Sequence, residues 1–89
     1  MFYLRLCLDK PGALPLRKSH RNDHLAYLQT DMVAQAGPLL DEDGAMVGSM
    51  MILEANDLED ARRFHDGDPF TKADLFDKVT ILRWDRHVG

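Results

Sequence analysis

The chain has little cysteine, no excess of basic residues and no uninterrupted hydrophobic run, and each shortage excludes a class of protein. With one cysteine among 89 residues, Cys7 cannot form an internal disulfide, so we expect a reducing, cytoplasmic setting and a buried thiol. A net charge of −4 argues against a nucleic-acid surface, which needs a basic patch. The apolar N-terminal segment is interrupted by Arg5 and Asp9, so we expect neither a signal peptide nor a membrane span.

Apolar residues, in contrast, are plentiful, at 45% of the chain. This content suits a single domain over residues 1–89, close to the size at which one core is only marginally sufficient. Part of the apolar surface is therefore expected to be buried against a partner subunit.

Hydrophobic periodicity predicts the elements in the order strand, helix, strand, strand, helix, strand. The predicted strands lie at residues 2–8, 39–40, 47–54 and about 78–84, and the helices at 16 to about 35 and about 57–65. We expect Gly37-Pro38 to end the first helix, because proline cannot continue one. Asp41-Glu42-Asp43-Gly44 reads as a hairpin loop, and Asn56 or Asp57 as the cap of the second helix.

This order predicts an α+β, ferredoxin-like βαββαβ fold, in which both helices lie on one face of an antiparallel sheet. Several large apolar side chains fall on strands whose opposite positions are apolar too: Met50, Ile52, Leu82 and Trp84. A monomer would expose them, so we predict a homodimer that packs sheet against sheet.

The sequence also offers one pair of residues suited to proton transfer, His24 and the aspartate of Asp68-Pro69-Phe70. A carboxylate can orient one imidazole nitrogen and leave the other free to act as a base. Each residue also has a structural interpretation. His24 shares a helix face with Leu28 and could simply pack against the core, while Asp68 could cap a short helix that begins with Pro69 and runs to about residue 75.

Five segments, taken in their order and spacing, carry a family resemblance: Met1-Phe2-Tyr3-Leu4, Arg21-x-x-His24-Leu25-Ala26-Tyr27-Leu28, Ala36-Gly37-Pro38-Leu39-Leu40-Asp41, Gly48-Ser49 and Asp68-Pro69-Phe70. Over nearly its whole length the chain resembles the YciI-like (YCII-related) family. The resemblance implies a ferredoxin-like fold that forms a dimeric α/β barrel. It also implies a cleft with a catalytic His and Asp, roles that fall on His24 and Asp68. The wider superfamily includes small cofactor-free enzymes, so no cofactor is expected.

Further residues are candidates for substrate binding. Ser49 could hydrogen-bond a substrate or be an ordinary strand hydroxyl, and Gly48 before it allows close approach by a ligand or a neighbouring backbone. Phe70 is expected in the core or the pocket wall. Arg17-Lys18-x-x-Arg21 reads as solvated surface, although Arg21 could attract an acidic substrate. His20 and His24 have a metal-chelating spacing but no third ligand, so no metal is expected.

Two functions remain open. The first is a cofactor-independent enzyme of isomerase or lyase type that acts on a small-molecule substrate, with His24 as acid or base and Asp68 as its partner. A serine hydrolase is not expected, because the chain has no Gly-x-Ser-x-Gly motif. The alternative is a non-catalytic, ligand-binding or regulatory dimer, and a third, weaker possibility is an accessory subunit of a larger enzyme.

Overall fold

Four antiparallel strands and three helices make up the computed structural model, which describes all 89 residues. The elements are β1 (Phe2–Asp9), α1 (Leu14–Tyr27), β2 (Val33–Leu40), β3 (Met46–Glu54), α2 (Leu58–Gly67), α3 (Pro69–Lys72) and β4 (Phe76–Trp84). The strand order in the sheet is β2-β3-β1-β4, so β3 and β1 are the inner strands. The predicted α+β, ferredoxin-like fold is confirmed. None of the three helices has both the length and the apolar content that crossing a membrane requires.

The core lies on the sheet face that the helices cover. On β1, alternation buries Tyr3, Arg5 and Cys7 on this face, because successive strand residues point to opposite sides. A cluster of buried side chains fills the space between sheet and helices: Tyr3, Met51, Leu53, Ala55, Ala61 and Phe64. The helix α2 begins at the predicted cap, since Asp57 accepts a hydrogen bond from the Asp60 N–H at 2.8 Å.

The other sheet face has no helix over it and keeps part of its apolar surface in contact with solvent. Leu82 is 58% exposed, and Met50 and Trp84 are each 38% exposed. Ile52 was expected to belong to this exposed set, but it is buried. It pairs with Leu4 of β1 and Gln35 of β2, so it has a neighbouring residue with a side chain on each side, whereas the exposed Met50 of the same strand pairs with Gly37 on the β2 side.

The predicted boundary between the first helix and the second strand is wrong. The helix ends at Tyr27 rather than near residue 35, and β2 starts at Val33 rather than at Leu39. Gly37 and Pro38, expected to stop the helix, lie within β2 instead. Proline is tolerated there because β2 is an edge strand, where a missing backbone N–H need not break the sheet.

Two tight backbone features fix the strand that carries Ser49. The predicted hairpin loop precedes β3, and the Asp41 carboxylate accepts the N–H groups of Asp43 and Ala45 at 2.9 and 3.0 Å. Within β3, a Cβ atom at Gly48 would collide with the carbonyl oxygen of Cys7. Glycine at position 48 therefore allows the backbone of Cys7 to approach closely, so that β3 pairs tightly with β1.

Candidate active site

His24 lies in the last turn of α1, and its side chain is buried. Its Nδ1 atom is 2.8 Å from Oδ1 of Asp68, which follows α2 much later in the chain. The imidazole also stacks on Phe70, with the ring centres 3.9 Å apart and the planes inclined by 14°. The structure thus brings His24, Asp68 and Phe70 into direct contact.

Asp68 occupies the junction between two helices and is completely buried. It precedes Pro69, the first residue of α3, and its Oδ1 accepts the N–H of Phe70 at 2.9 Å. The predicted capping role is therefore present together with the contact to His24. Because the cap fixes the carboxylate relative to the backbone, Asp68 holds the imidazole at a defined place.

Arg5 is the third member of this buried group, and sequence reasoning gave it no role. Its Nη1 donates to Oδ2 of Asp68 at 2.8 Å, its Nε to Nδ1 of His65 at 2.8 Å, and its Nη2 to Oγ1 of Thr71 at 3.2 Å. The sequence nevertheless held a signal that Arg5 is buried, because it alternates onto the same strand face as Tyr3 and Cys7, the face that the helices cover.

The protonation of Asp68 follows from its surroundings. Burial by itself would raise the pKa of Asp68, but the hydrogen bond from His24, the positive charge of Arg5 and the Phe70 N–H hold this pKa below its usual range. Asp68 is therefore a carboxylate at neutral pH and can only accept hydrogen bonds.

This charge state fixes how His24 presents its nitrogens. A neutral imidazole has one donor and one acceptor nitrogen, and the nitrogen that faces a carboxylate must donate. The proton of neutral His24 thus lies on Nδ1, and the lone pair lies on Nε2. Nε2 makes no hydrogen bond within the chain. Every buried side-chain nitrogen and oxygen does have a hydrogen-bond partner, so Nε2 must be accessible to solvent.

His65 has the opposite arrangement. Its Nδ1 accepts from Arg5, so the proton of the neutral ring lies on Nε2. Burial, reinforced by the charge of Arg5, lowers the pKa of His65. Arg5 therefore contacts a carboxylate and a neutral imidazole at the same time.

Arg17 forms a second buried polar group next to the first. The expectation of a solvated Arg17 is wrong: it is buried, because both its Nε and its Nη2 donate to the carboxylate of Asp9, at 2.7 and 2.8 Å. Nη2 also donates to Ser49 Oγ at 2.8 Å. The guanidinium carbon lies 4.7 Å from the centre of the Phe70 ring, a cation–π contact that joins the two groups.

A cleft of about 130 Å³ opens between α1 and the strands β2 and β3. Its polar lining consists of four side chains: Arg17, Arg21, His24 and Ser49. Its walls are mainly apolar and include Leu25, Leu28, Pro38, Met46, Met50, Met51 and Phe70. Asp68 is not part of the lining and lies behind His24.

The remaining candidates have simpler positions. Arg21 is exposed and lines the cleft. No group of three His, Cys, Asp or Glu side chains is placed to hold a metal ion, so His20 and His24 have no third ligand of these types. Cys7 is buried as expected, and burial raises the pKa of its thiol to about 11, which leaves it protonated at neutral pH.

Comparison with known sequences identifies a family. The family model described as the YCII-related domain matches residues 1–85. Two curated relatives, both called Protein YciI, come from Escherichia coli strain CFT073 and Shigella flexneri. Each is 33% identical to this chain, and the match covers 91% of this chain and 93% of the relative.

Solved structures share the fold. One is 5-chloro-2-hydroxyhydroquinone dehydrochlorinase from Burkholderia phenoliruptrix AC1100, in complex with 2,5-dihydroxybenzoquinone. It is 36% identical, with a TM-score of 0.88, and the match covers 96% of this chain and 94% of that one. Rv0793 from Mycobacterium tuberculosis has a TM-score of 0.58 at 12% identity, covering 98% and 97%, and is similar in fold alone.

Proposed function

The chain belongs to the YCII-related family, and we propose that it is a cofactor-independent, lyase-type enzyme acting on a small cyclic molecule. His24 is the general base, and Asp68 is the positioning residue that orients it. One observation carries the proposal: the 2.8 Å contact between His24 Nδ1 and a buried carboxylate, which leaves Nε2 as the proton acceptor at a mainly apolar cleft.

The proposed step is a proton abstraction followed by loss of a leaving group. In the keto tautomer of the ring, the carbon that bears the leaving group is saturated. Nε2 of His24 takes the proton of a ring hydroxyl, the O–H bonding pair forms a C=O bond, the adjacent C=C pair shifts to form a new C=C bond to that carbon, and the leaving group departs with its own bonding pair. The imidazolium that results is stabilised by the negative charge of Asp68. Arg5 supports this arrangement because its charge helps to keep Asp68 ionised.

The dehydrochlorinase supports this class of reaction. At 36% identity over almost the whole chain, it is an enzyme whose name describes an elimination, and its structure holds a six-membered quinone ring. The cleft here has about 130 Å³, close to the roughly 150 Å³ of an engineered cavity that binds benzene. We therefore propose a substrate of the size of a single six-membered ring.

We also propose that the enzyme is a homodimer whose second copy covers the open sheet face. The exposed apolar side chains of Leu82, Met50 and Trp84 support this, since a monomer leaves them in water. Sedimentation velocity should give a dimer for the wild type and a monomer for Leu82→Glu. A wild type that sediments as a monomer at all concentrations would contradict the dimer.

The catalytic proposal is tested by turnover of 5-chloro-2-hydroxyhydroquinone and related halogenated hydroxylated rings, followed by chloride release. His24→Gln should lower kcat/KM by a factor of about 10² to 10⁴, the usual contribution of a general base. The matched control is His20→Gln, which alters a histidine outside the cleft lining and should leave turnover unchanged.

Two outcomes would count against catalysis by His24. Full turnover by a folded His24→Gln variant would exclude it as the base. A wild type that binds these rings and converts none of them would favour the alternative function, a non-catalytic ligand-binding dimer in which His24 only anchors the ligand.

A further inference from the structure

His65 is the one histidine in contact with the buried ion pair that the proposed reaction does not use. It does not line the cleft, so it meets solvent at a different place from His24. Its half-buried ring lies at a separate opening between α2 and β4, which is lined by Arg62, His65, Asp66, Val79, Thr80 and Ile81. Nε2 of His65 makes no hydrogen bond within the chain and must be accessible to solvent, because every buried side-chain nitrogen has a partner.

Arg5 connects this opening to the candidate active site. All three nitrogens of its guanidinium are hydrogen-bonded within the chain: Nη1 to Asp68, Nη2 to Thr71 and Nε to His65. Nε carries a single hydrogen, so the 2.8 Å bond to His65 Nδ1 uses its whole capacity. Because Arg5 is only 1% exposed, water does not readily replace a lost partner, and His65 helps to fix the plane of the guanidinium.

The bond between Arg5 and His65 requires a neutral imidazole. The neutral ring already carries its proton on Nε2, so a second proton has to bind at Nδ1. That position is occupied by the Nε–H of Arg5. His65 can therefore become charged only if its contact with Arg5 breaks, and the charged ring would then repel the guanidinium.

The other groups around His65 do not reverse this effect. Burial, followed by the charge of Arg5, lowers the pKa of His65, although Asp66 and Asp68 act in the opposite direction. Arg62, which shares the opening, carries a further positive charge. From β4 the ring faces Phe76, at 6.1 Å between ring centres, and the side chains of β4 at the opening are uncharged.

We propose that His65 is a positioning residue that makes the proposed reaction sensitive to pH: its neutral ring holds Arg5 against Asp68, and a proton taken up from solvent breaks this hold and loosens the carboxylate that orients His24. The series from His65 through Arg5 and Asp68 to His24 has a contact of 2.8 Å at every step. This inference rests on the proposed function. It adds that activity is lost on acidification through a group outside the cleft.

Two substitutions separate the hydrogen-bond acceptor of His65 from its charge. Asparagine keeps an acceptor oxygen near the place of Nδ1 and cannot be protonated, whereas leucine has no acceptor. At pH 8, His65→Leu should lower kcat/KM for 5-chloro-2-hydroxyhydroquinone by about threefold or more, since a displaced catalytic group slows the reaction, and His65→Asn should retain most of the activity.

The pH profile measures the effect of the charge. As the pH falls from 8 to 5, kcat/KM of the wild type should decrease by about twofold or more relative to that of His65→Asn, because the amide keeps Arg5 in place. The contribution of His24 to this decrease is common to both proteins and cancels in the ratio. The matched control is His87→Asn, at an exposed histidine of the C-terminal tail, which should follow the wild type at every pH.

NMR of the ¹⁵N-labelled His24 ring above pH 8 gives a readout that needs no turnover. The Nδ1-protonated form should persist in His65→Asn and lose part of its preference in His65→Leu. If the wild type converts no substrate and this difference is observed, the proposed function is wrong, but the positioning role of His65 stands. If His65→Leu does not fold, the pH profiles of the wild type and His65→Asn decide.

Two results would overturn the inference. One is a folded His65→Leu variant that is less stable but keeps both the His24 tautomer and the wild-type kcat/KM, since His65 would then be purely structural. The other is a constant ratio of kcat/KM between the wild type and His65→Asn from pH 8 to 5.

Discussion

Replacing Arg5 by methionine should remove a large share of the stability of this domain. Arg5 and Asp68 are 1% and 0% exposed and meet at 2.8 Å, so methionine leaves a buried carboxylate without its strongest cationic partner. Breaking a buried ion pair by removing one member costs about 3 to 5 kcal/mol. A chain of this length has a total unfolding free energy of about 4 to 13 kcal/mol. Arg5→Met should therefore remove about a quarter of it or more.

The assay is urea unfolding followed by far-ultraviolet circular dichroism at pH 7. Arg83→Met is the matched control, because it makes the same chemical change at an exposed position of β4 and should cause no measurable loss. The double variant Arg5→Met with Asp68→Asn should be more stable than Arg5→Met alone, since it leaves no buried charge unpaired. A loss below about 1 kcal/mol in Arg5→Met would refute the claim that this ion pair organises the site.

Two further predictions concern the backbone and acid stability. Gly48→Ala should lower the unfolding free energy by about 3 kcal/mol or more, because the added Cβ would collide with the Cys7 carbonyl. Gly37→Ala is the control, since its Cβ would lie in open space and should cause no such loss. Equal losses in the two variants would contradict this explanation. The pKa of Asp68 is held below 3.8, so its ionised form contributes stability above that pH, and this contribution is lost as the pH falls through the lowered pKa. Urea midpoints measured from pH 6 to pH 2 should thus fall more steeply for the wild type than for Asp68→Asn, and parallel curves would contradict this.

The fold class and the order of the elements could be predicted because strand alternation and cap residues are local signals. Residues 2–8 alternate clearly, and Asp57 precedes a short amphipathic helix, so these elements are found almost where predicted. The predicted boundary between the first helix and the second strand was wrong because residues 28–36 continue the helical spacing of apolar residues. Pairing with β3, a long-range interaction, decides instead that Val33 begins a strand.

Only those residues of the site whose chemistry is rare in this chain could be predicted from the sequence. His24 and Asp68 could be paired as a hypothesis because few other residues suit proton transfer. Arg5 and Arg17 were missed because arginine is ordinarily exposed, and each is buried only through a partner that the fold supplies. The partner of Arg5 is 63 residues away in the chain, a distance at which local pattern carries no information.

The buried carboxylate of Asp68 should hold the His24 ring with its Nε2 lone pair available to the cleft, and ¹⁵N NMR of the imidazole nitrogens above pH 8 measures this arrangement. We expect an Nδ1-protonated neutral ring for His24 and, in the same spectrum, an Nε2-protonated ring for His65, because Asp68 accepts from the first and Arg5 donates to the second. In Asp68→Asn, the His24 preference should weaken. A wild-type His24 protonated on Nε2 would exclude it as the base, because the nitrogen proposed to accept the proton would already carry one.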